Sequence, residues 1–134
     1  MAAMISSRGR YALRVMAELA EQEPEQVVPL KDIAARQGLS QKYLEAIMTT
    51  LSKGGLVEGQ HGKGGGYRLC RRPEDYSLGE ILRLTEGSLA PVTCLEAGNS
   101  PCAHPCPSLP IWEKLEHLVG DYLDSVSLAD LLPK

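Results

Sequence analysis

The sequence has no apolar run of the roughly 18 residues that a membrane-spanning helix needs, so we expect no such helix. Its first residues also lack the basic, apolar and small-residue succession of a secretory signal peptide. Cysteine is scarce, with four residues in a chain of 134, which argues against a framework of disulfides. Together these absences predict a cytoplasmic protein, in which cysteines serve more often as metal ligands or sensors than as cross-links.

Positive charge is also in short supply, since the net charge is −3, but the deficit is uneven. Residues 1–75 carry a net charge of +2, whereas residues 76–134 carry −5. Two segments, 5–17 and 59–73, contain no acid, and such local basic segments favour contact with a polyanion. Taken alone, the same charges fit two solvated surface faces equally well. The basic residues are Arg8, Arg10 and Arg14 in the first segment and Lys63, Arg68, Arg71 and Arg72 in the second, with His61 beside them.

The spacing of apolar residues predicts three helices before the first glycine-rich stretch. The first covers about residues 7–22. Pro29 opens a short second helix, which Gly38 stops because glycine tolerates the left-handed cap conformation. Ser40 is a good N-cap for the third helix, which ends at Gly54.

The pattern then changes to that of strands. Residues 56–57 and 67–70 are predicted as short strands that flank a glycine-rich hairpin tip at residues 62–66. Ser77 and Glu80 have the spacing of a capping box and start a fourth helix. A proline-rich loop follows over residues 88–110, and a continuous apolar stripe over residues 111–126 predicts one long helix.

Helix, short helix, turn, helix and hairpin is the order of a winged helix-turn-helix. A tight turn between two steeply packed helices requires a small residue on the first helix and a glycine at the corner, and Ala34 and Gly38 meet these requirements. Gln37 departs from the pattern, because an apolar residue would be expected there. We therefore predict a mainly helical fold with a small β-hairpin wing and a long C-terminal dimerisation helix. Residues 1–75 would form the DNA-binding domain and residues 76–134 a sensing and dimerisation region, packed together as one compact unit.

The third helix would lie in the major groove with its N-terminal turn against base edges. Gln41 can pair with adenine, Lys42 with guanine or phosphate, and Glu45 with the cytosine amino group. Half-buried packing and DNA contact explain Tyr43 equally well. The hairpin tip would enter the minor groove, where Lys63 or His61 meets enhanced negative potential. The expected DNA-binding residues are Ser7, Arg8, Ser40, Gln41, Lys42, Tyr43, Glu45, His61, Gly62, Lys63 and Gly64.

Catalytic and nucleotide-binding motifs do not fit this sequence. A Walker loop needs Ser or Thr after Gly-Lys, and a dinucleotide fingerprint needs a glycine where Tyr67 stands. The zinc deaminase pattern fails because three residues separate Cys102 from Cys106 and no histidine has a glutamate two places on. We expect no enzymatic activity and no catalytic residues.

Three of the four cysteines are crowded into the proline-rich loop. Cys94, Cys102 and Cys106 are thiols of the kind that bind zinc or an iron–sulfur cluster, and a loop can wrap around either. Redox-active thiols without a metal are a further possibility. Cys70 stands alone on a predicted wing strand and is interpreted as a buried small apolar residue.

Several segments of the chain resemble the IscR/NsrR/CymR (Rrf-type) family of bacterial winged-helix regulators. They are SRGRYA at residues 7–12, LSQKYLE at 39–45, GKGGGY at 62–67, and the stretch from Trp112 through SLADL at 127–131. The resemblance implies a homodimer, joined through the long helix, that binds double-stranded DNA at a palindromic operator and acts as a repressor. It also implies base contacts from Tyr43, Glu45, His61 and Gly62 and phosphate contacts from Ser7 and Arg8. An arginine commonly stands where this sequence has His61.

The same resemblance implies that Cys94, Cys102 and Cys106 hold an iron–sulfur cluster, either 2Fe-2S or 4Fe-4S. Their spacing is less even than in the best-known members, and Leu109 stands where the IscR branch has a histidine ligand. His104, Glu96 or a group from the other subunit would then complete the site, or an iron position would stay open to nitric oxide or oxygen. The alternative is a cluster-free member that is controlled by a partner protein, thiol oxidation or structural zinc.

Overall fold

The computed structural model describes residues 5–23, 25–92, 95 and 107–133. Five helices and a two-stranded antiparallel sheet are found in this part of the chain. They are α1 (Ser7–Ala20), α2 (Leu30–Gln37), α3 (Gln41–Lys53), β1 (Val57–Gln60), β2 (Gly66–Leu69), α4 (Leu78–Glu86) and α5 (Leu109–Ser125). Short 3₁₀ helices cover Pro73–Asp75 and Leu128–Leu131. The predicted fold class, mainly helical with a hairpin wing and a C-terminal helix, is confirmed.

One buried cluster joins residues from both ends of the chain. Apolar side chains of α1, α2 and α3 meet in it because each helix has an apolar stripe at helical spacing. Tyr76, Ile81 and Leu128 belong to the same cluster, so the segment after residue 75 closes this core. The proposed division into residues 1–75 and 76–134 stays a prediction.

The turn between α2 and α3 forms as its residues predict. Pro29 is the N-cap of α2, and Gly38 ends that helix in the left-handed region with φ of 67°. Ser40 is the N-cap of α3, where its hydroxyl oxygen accepts a hydrogen bond from the backbone N–H of Tyr43 at 3.1 Å. Cap and corner therefore hold the start of α3 at the surface.

The hairpin strands are placed slightly differently from the sequence-based prediction. The strand predicted at residues 56–57 runs over Val57–Gln60, and the one predicted at 67–70 runs over Gly66–Leu69. Val28 adds a bridge on the other side of β2, since it and Tyr67 exchange two backbone hydrogen bonds of 2.9 Å. This pairing ties the hairpin to the segment before α2.

Tyr76 joins the base of the hairpin to the C-terminal segment. Its buried hydroxyl donates to the carbonyl of Leu56 at 2.6 Å and accepts from the backbone N–H groups of Cys70 and Arg71 at 2.9 and 3.0 Å. Its own carbonyl accepts from the N–H of Leu128 at 3.0 Å. Burial raises the pKa of Tyr76 above its usual value, which further favours the protonated hydroxyl that donates to Leu56.

The start of α4 differs in one respect from the predicted capping box. Ser77 does accept from the backbone N–H of Glu80 at 3.0 Å, but the Glu80 carboxylate accepts two hydrogen bonds from Arg71, at 2.7 and 2.9 Å. These bonds hold the pKa of Glu80 below its usual value. A reciprocal capping box is instead formed by Ser127 and Asp130 at the last 3₁₀ helix.

Helix α5 presents apolar side chains to solvent in the single chain. Ile111, Leu118 and Tyr122 are 62%, 57% and 67% exposed. Its other side packs on α4, where Arg83 and Asp124 form a two-point ion pair at 2.6 and 3.1 Å. None of the helices in the described ranges has the length and apolar character needed to cross a membrane.

Candidate nucleic-acid interface

The first turn of α3 offers polar side chains to solvent. Gln41, Lys42 and Glu45 are all exposed, and neither charged group forms an ion pair within the described part of the chain. The opposite side of the helix is fully buried, with 0% exposure at four apolar positions. These anchors are Leu44, Ile47, Met48 and Leu51. A helix held in this way presents its polar first turn from a rigid support.

Tyr43 is half-buried at the same end of α3. Its ring packs edge-on against Tyr11 of α1, with centroids 6.1 Å apart and planes at 88°. The guanidinium of Arg14 lies 5.3 Å from the Tyr11 ring centroid, a cation–π distance. The ring of Tyr43 thus packs against the protein as the packing interpretation expects, while contact of Tyr43 with DNA stays a prediction.

The tip of the hairpin combines exposed glycine backbone with the exposed side chains of a histidine and a lysine. His61, Gly62, Lys63 and Gly64 are exposed. Gly62 and Gly64 have φ angles of 94° and 78°, which residues other than glycine rarely adopt. The backbone N–H of Gly65 closes the turn on the carbonyl of Gly62 at 3.0 Å. The tip is therefore a tight turn, and the missing side chains of its glycines allow another molecule to approach the backbone closely.

The first turn of α1 is also exposed, and it is basic. Ser7 and Arg8 are exposed, and Arg8 forms no ion pair with any residue that the structure describes. Arg10 donates to the Ser7 hydroxyl oxygen at 3.1 Å. Ser6 caps the helix by accepting from the N–H of Gly9 at 3.2 Å. Free backbone N–H groups and cationic side chains at the N-terminus of a helix form a favourable binding site for phosphate.

The basic segment at residues 59–73 is largely neutralised, contrary to its sequence-based interpretation. Arg68 pairs with Glu25 and Glu58, and the hydrogen bond that it donates to the Glu58 carboxylate raises the pKa of Arg68. Arg71 pairs with Glu80. Arg72 pairs in turn with both acids of the 3₁₀ helix at residues 73–75. Only Lys63 and His61 of this segment are left as candidates for DNA phosphates among the described residues.

Cys70 is exposed, so its interpretation as a buried apolar residue is wrong. It follows the last residue of β2, where the chain leaves the sheet and the side chain loses its cover. Partial desolvation and the nearby Glu58 carboxylate raise the pKa of the Cys70 thiol. A thiol that keeps its proton is a weak nucleophile and a weak metal ligand.

Gln37 has a polar partner that explains its departure from the apolar pattern. Its side-chain NH₂ donates to Glu18 Oε1 at 2.7 Å, and Arg36 donates to Glu18 Oε2 at 3.2 Å. Glu18 is only 8% exposed, and its contacts with Gln37 and Arg36 form a polar clamp between α1 and α2. The sequence offered one signal of this clamp, namely a glutamate at a buried position of α1.

The predicted metal ligands Cys94, Cys102 and Cys106 lie outside the described residues, as do Glu96 and His104. Within the described ranges, no group of three or more His, Cys, Asp or Glu residues is arranged to hold a metal ion. Leu109, at the position of the histidine ligand in the IscR branch, begins α5. The ligand set therefore stays a prediction.

Comparison with known proteins gives concordant results. A family model described as Rrf2, iron-dependent transcriptional regulator, matches residues 5–134. The chain is 34% identical over 128 residues to the HTH-type transcriptional regulator IscR of Aliivibrio salmonicida, covering 96% of this chain and 76% of that protein. CymR, the global cysteine regulator of B. subtilis, superposes with a TM-score of 0.79 at 35% identity, covering 95% of this chain and 94% of that one. T. potens IscR superposes with a TM-score of 0.75 at 37% identity, covering 95% and 84%.

These matches extend over nearly the whole chain and include both the hairpin and the C-terminal helix. The resemblance seen in the sequence motifs is confirmed by them. The protein is a DNA-binding transcriptional regulator, and its relatives carry the names of regulators rather than enzymes. The chain belongs to the Rrf2 family of iron-dependent transcriptional regulators.

Proposed function

We propose that the protein reads an operator through the first turn of α3 in the major groove and the hairpin tip in the adjacent minor groove. The observation that carries this proposal is the exposed set Gln41, Lys42 and Glu45 on a helix whose other side is fully buried. Donor, cation and acceptor groups there complement adenine, guanine and cytosine edges respectively. Ser40, Tyr43, Gly62, Lys63 and Gly64 complete the contacts, and His61 replaces the usual arginine in the minor groove.

Phosphate contacts come from the first turn of α1 in this proposal. Ser7 and Arg8 are exposed, and the described residues provide no carboxylate partner for Arg8. An unpaired guanidinium at a helix N-terminus binds phosphate without first breaking an ion pair. These contacts set the position of the protein on the duplex and carry no sequence information of their own.

We further propose a homodimer that forms through α5 and recognises a palindromic site. Ile111, Leu115, Leu118 and Tyr122 follow one another at spacings of four, three and four residues. This is the spacing of a helix pair that packs along an apolar seam. Three of the four are more than half exposed in the single chain, and burial against a second copy would cover them. A dimer that blocks promoter DNA would act as a repressor in the cytoplasm.

The test of base reading is selection of bound sequences from a random duplex pool. We expect the wild-type protein to enrich a palindrome and Glu45→Ala to lose preference at one base pair of each half-site. Glu21→Ala, which removes the same charge at an exposed position past the end of α1, is the control and should enrich the original palindrome. Equal loss of affinity for every sequence in Glu45→Ala would contradict a base-reading role.

The cysteines between α4 and α5 fit an iron–sulfur cluster by their chemistry. Three thiols within a short, proline-rich segment are a donor set that such clusters use. Cys94, Cys102 and Cys106 would hold it, and a bound cluster would supply a group that oxygen or nitric oxide attacks. The residues around this segment would then transmit its state to α5, whose position sets the separation of the two α3 helices in the dimer.

Anaerobic purification tests the cluster separately from DNA binding. We expect a coloured protein whose visible absorption and bound iron are lost in Cys102→Ser. Cys70→Ser is the matched control and should keep both, because Cys70 lies at the end of β2, outside the cysteine segment. A colourless protein that contains one zinc ion per chain would refute the cluster.

The second candidate is a cluster-free regulator controlled by thiol oxidation, structural zinc or a partner protein. The structural likeness to CymR, a cysteine regulator, supports it, with a TM-score of 0.79 compared with 0.75 for T. potens IscR. A colourless anaerobic protein whose DNA affinity changes on oxidation of Cys94, Cys102 or Cys106 would support this alternative.

A further inference from the structure

Helix α4 ends in a carboxylate that binds the start of α1. Oε1 of Glu86 accepts hydrogen bonds from the Ser6 hydroxyl at 2.7 Å and from the Ser6 backbone N–H at 3.2 Å. The same Ser6 hydroxyl oxygen accepts from the N–H of Gly9 as the cap of α1. Glu86 therefore holds the residue that caps α1, and through it the first turn of that helix.

Gly9 provides the space for this carboxylate. A Cβ added at Gly9 would overlap Oε1 of Glu86 and lie 3.3 Å from a methyl carbon of Leu82. The φ angle of Gly9 is not positive, so the helix itself does not require a glycine there. Glycine inside a helix is less stabilising than alanine because its backbone loses more conformational freedom on folding. The missing side chain serves the contact with Glu86 rather than the conformation of α1.

The charge of Glu86 matters because of its location. The first turn of α1 has no acid of its own and contains Ser7 and Arg8, the proposed phosphate contacts. A carboxylate beside this turn stabilises the helix N-terminus, yet it also repels the phosphates that the turn would bind. A carboxylate at this place is compatible with DNA binding when the gain from holding the turn in position exceeds the loss from repelling phosphate.

We propose that Glu86 is a positioning residue for DNA binding, which fixes the first turn of α1 so that Ser7 and Arg8 meet the phosphate backbone. The proposal rests on the proposed function, because it needs those two residues to contact phosphate. It assigns to α4 a direct part in setting DNA affinity, through a contact with Ser6 at 2.7 Å.

The experiment is the salt dependence of DNA binding by the 134-residue chain, with the selected palindrome as probe. We expect Glu86→Ala to bind several-fold more weakly and to lower the slope of log K against log salt by about one for each phosphate group that the variant no longer binds. Glu86→Gln keeps an oxygen that accepts from Ser6 and removes the repulsion, so it should keep the wild-type slope and bind at least as tightly. A merely structural role would lower the thermal midpoint and leave the slope unchanged.

Gly9→Ala supplies a second test that does not require removal of Glu86. Its methyl group displaces the carboxylate, so we expect the reduced slope of Glu86→Ala, and no further effect when the two substitutions are combined. A wild-type slope in Glu86→Ala or in Gly9→Ala would overturn the proposal. Arg8→Ala separates the two levels: if it also keeps the wild-type slope, the proposed phosphate contact itself fails, whereas a reduced slope in Arg8→Ala alone refutes only the role of Glu86.

Discussion

Glu18 and Gln37 lie 19 positions apart in the chain and meet between α1 and α2 at 2.7 Å. Local sequence patterns predicted apolar contact at Gln37, because they weigh neighbours along one helix and not partners on another. Tyr76 is a similar case, since its hydroxyl bonds with Leu56, 20 positions earlier. Buried polar groups need partners, but the sequence alone does not say which ones.

The polar clamp can be tested by comparing single and double replacements. Glu18→Ala leaves the Gln37 amide without its acceptor, so we expect the free energy of unfolding to fall by about 1–3 kcal/mol. Replacing both by leucine, in Glu18→Leu with Gln37→Leu, should recover most of that stability, since no buried polar group is then left unpaired. Urea denaturation measures both, and a double variant as unstable as Glu18→Ala would contradict the clamp.

Tyr76→Phe should destabilise the protein by about 1–3 kcal/mol, because one acceptor and two donors of the backbone lose their shared partner. The effect should be accompanied by faster hydrogen exchange at Cys70 and Arg71. Tyr67→Phe is the control, since Tyr67 is half-buried and its hydroxyl forms no hydrogen bond within the described residues. Equal stability of the two variants would show that the Tyr76 hydroxyl does not stabilise the base of the hairpin.

The elements themselves were largely predictable, because caps and periodicity are local signals. Ser40 and Gly38 placed the ends of two helices correctly. The hairpin was displaced by up to three residues, since strand ends depend on pairing, and Val28 pairs with Tyr67 from a distant segment. The contact between Glu86 and Ser6 spans 80 positions and had no local signal other than Gly9.

Helix α5 yields a prediction about assembly. Leu118→Glu places a charge in the apolar seam, so we expect the dimer to dissociate to monomers and DNA affinity to fall by more than tenfold. Leu118 is 57% exposed in the single chain, so the fold of the monomer should persist.

His117→Glu is the matched control for this substitution. It introduces the same residue at the adjacent exposed position, about 100° around the helix from Leu118. We expect it to stay dimeric in analytical ultracentrifugation. A dimeric Leu118→Glu protein would place the subunit interface elsewhere.

For the molecule as a whole, charge counting along the sequence was the weakest guide. The arginines of residues 59–73 looked like a basic surface, but Arg68 pairs with Glu25, 43 positions away, and Arg71 pairs with Glu80. Ion pairs between elements form only when the chain folds, so the absence of acids from a segment does not by itself make that segment a basic surface. Arg8 and Lys63 keep their charges unpaired within the described ranges, and they carry the proposed phosphate and minor-groove contacts.

The division of the chain and its cysteine site stay predictions at this scale. One core contains residues from both predicted regions, so a movement of α4 or α5 would alter the packing of the core to which α1 and α3 also belong. Cys94, Cys102 and Cys106 rest on residue type and on the family to which the chain belongs. Their spacing along the sequence does not reveal which atoms complete the site.

Hydroxyl-radical footprinting on the selected palindrome tests the DNA-reading geometry most directly. We expect two symmetric protected regions whose centres lie about 10 base pairs, or a multiple of this, apart, with protected minor groove next to each. Lys63→Ala should weaken the minor-groove protection and leave the spacing of the two protected regions unchanged. A single protected region, or two regions without minor-groove protection, would contradict a dimer that reads DNA with α3 and the hairpin.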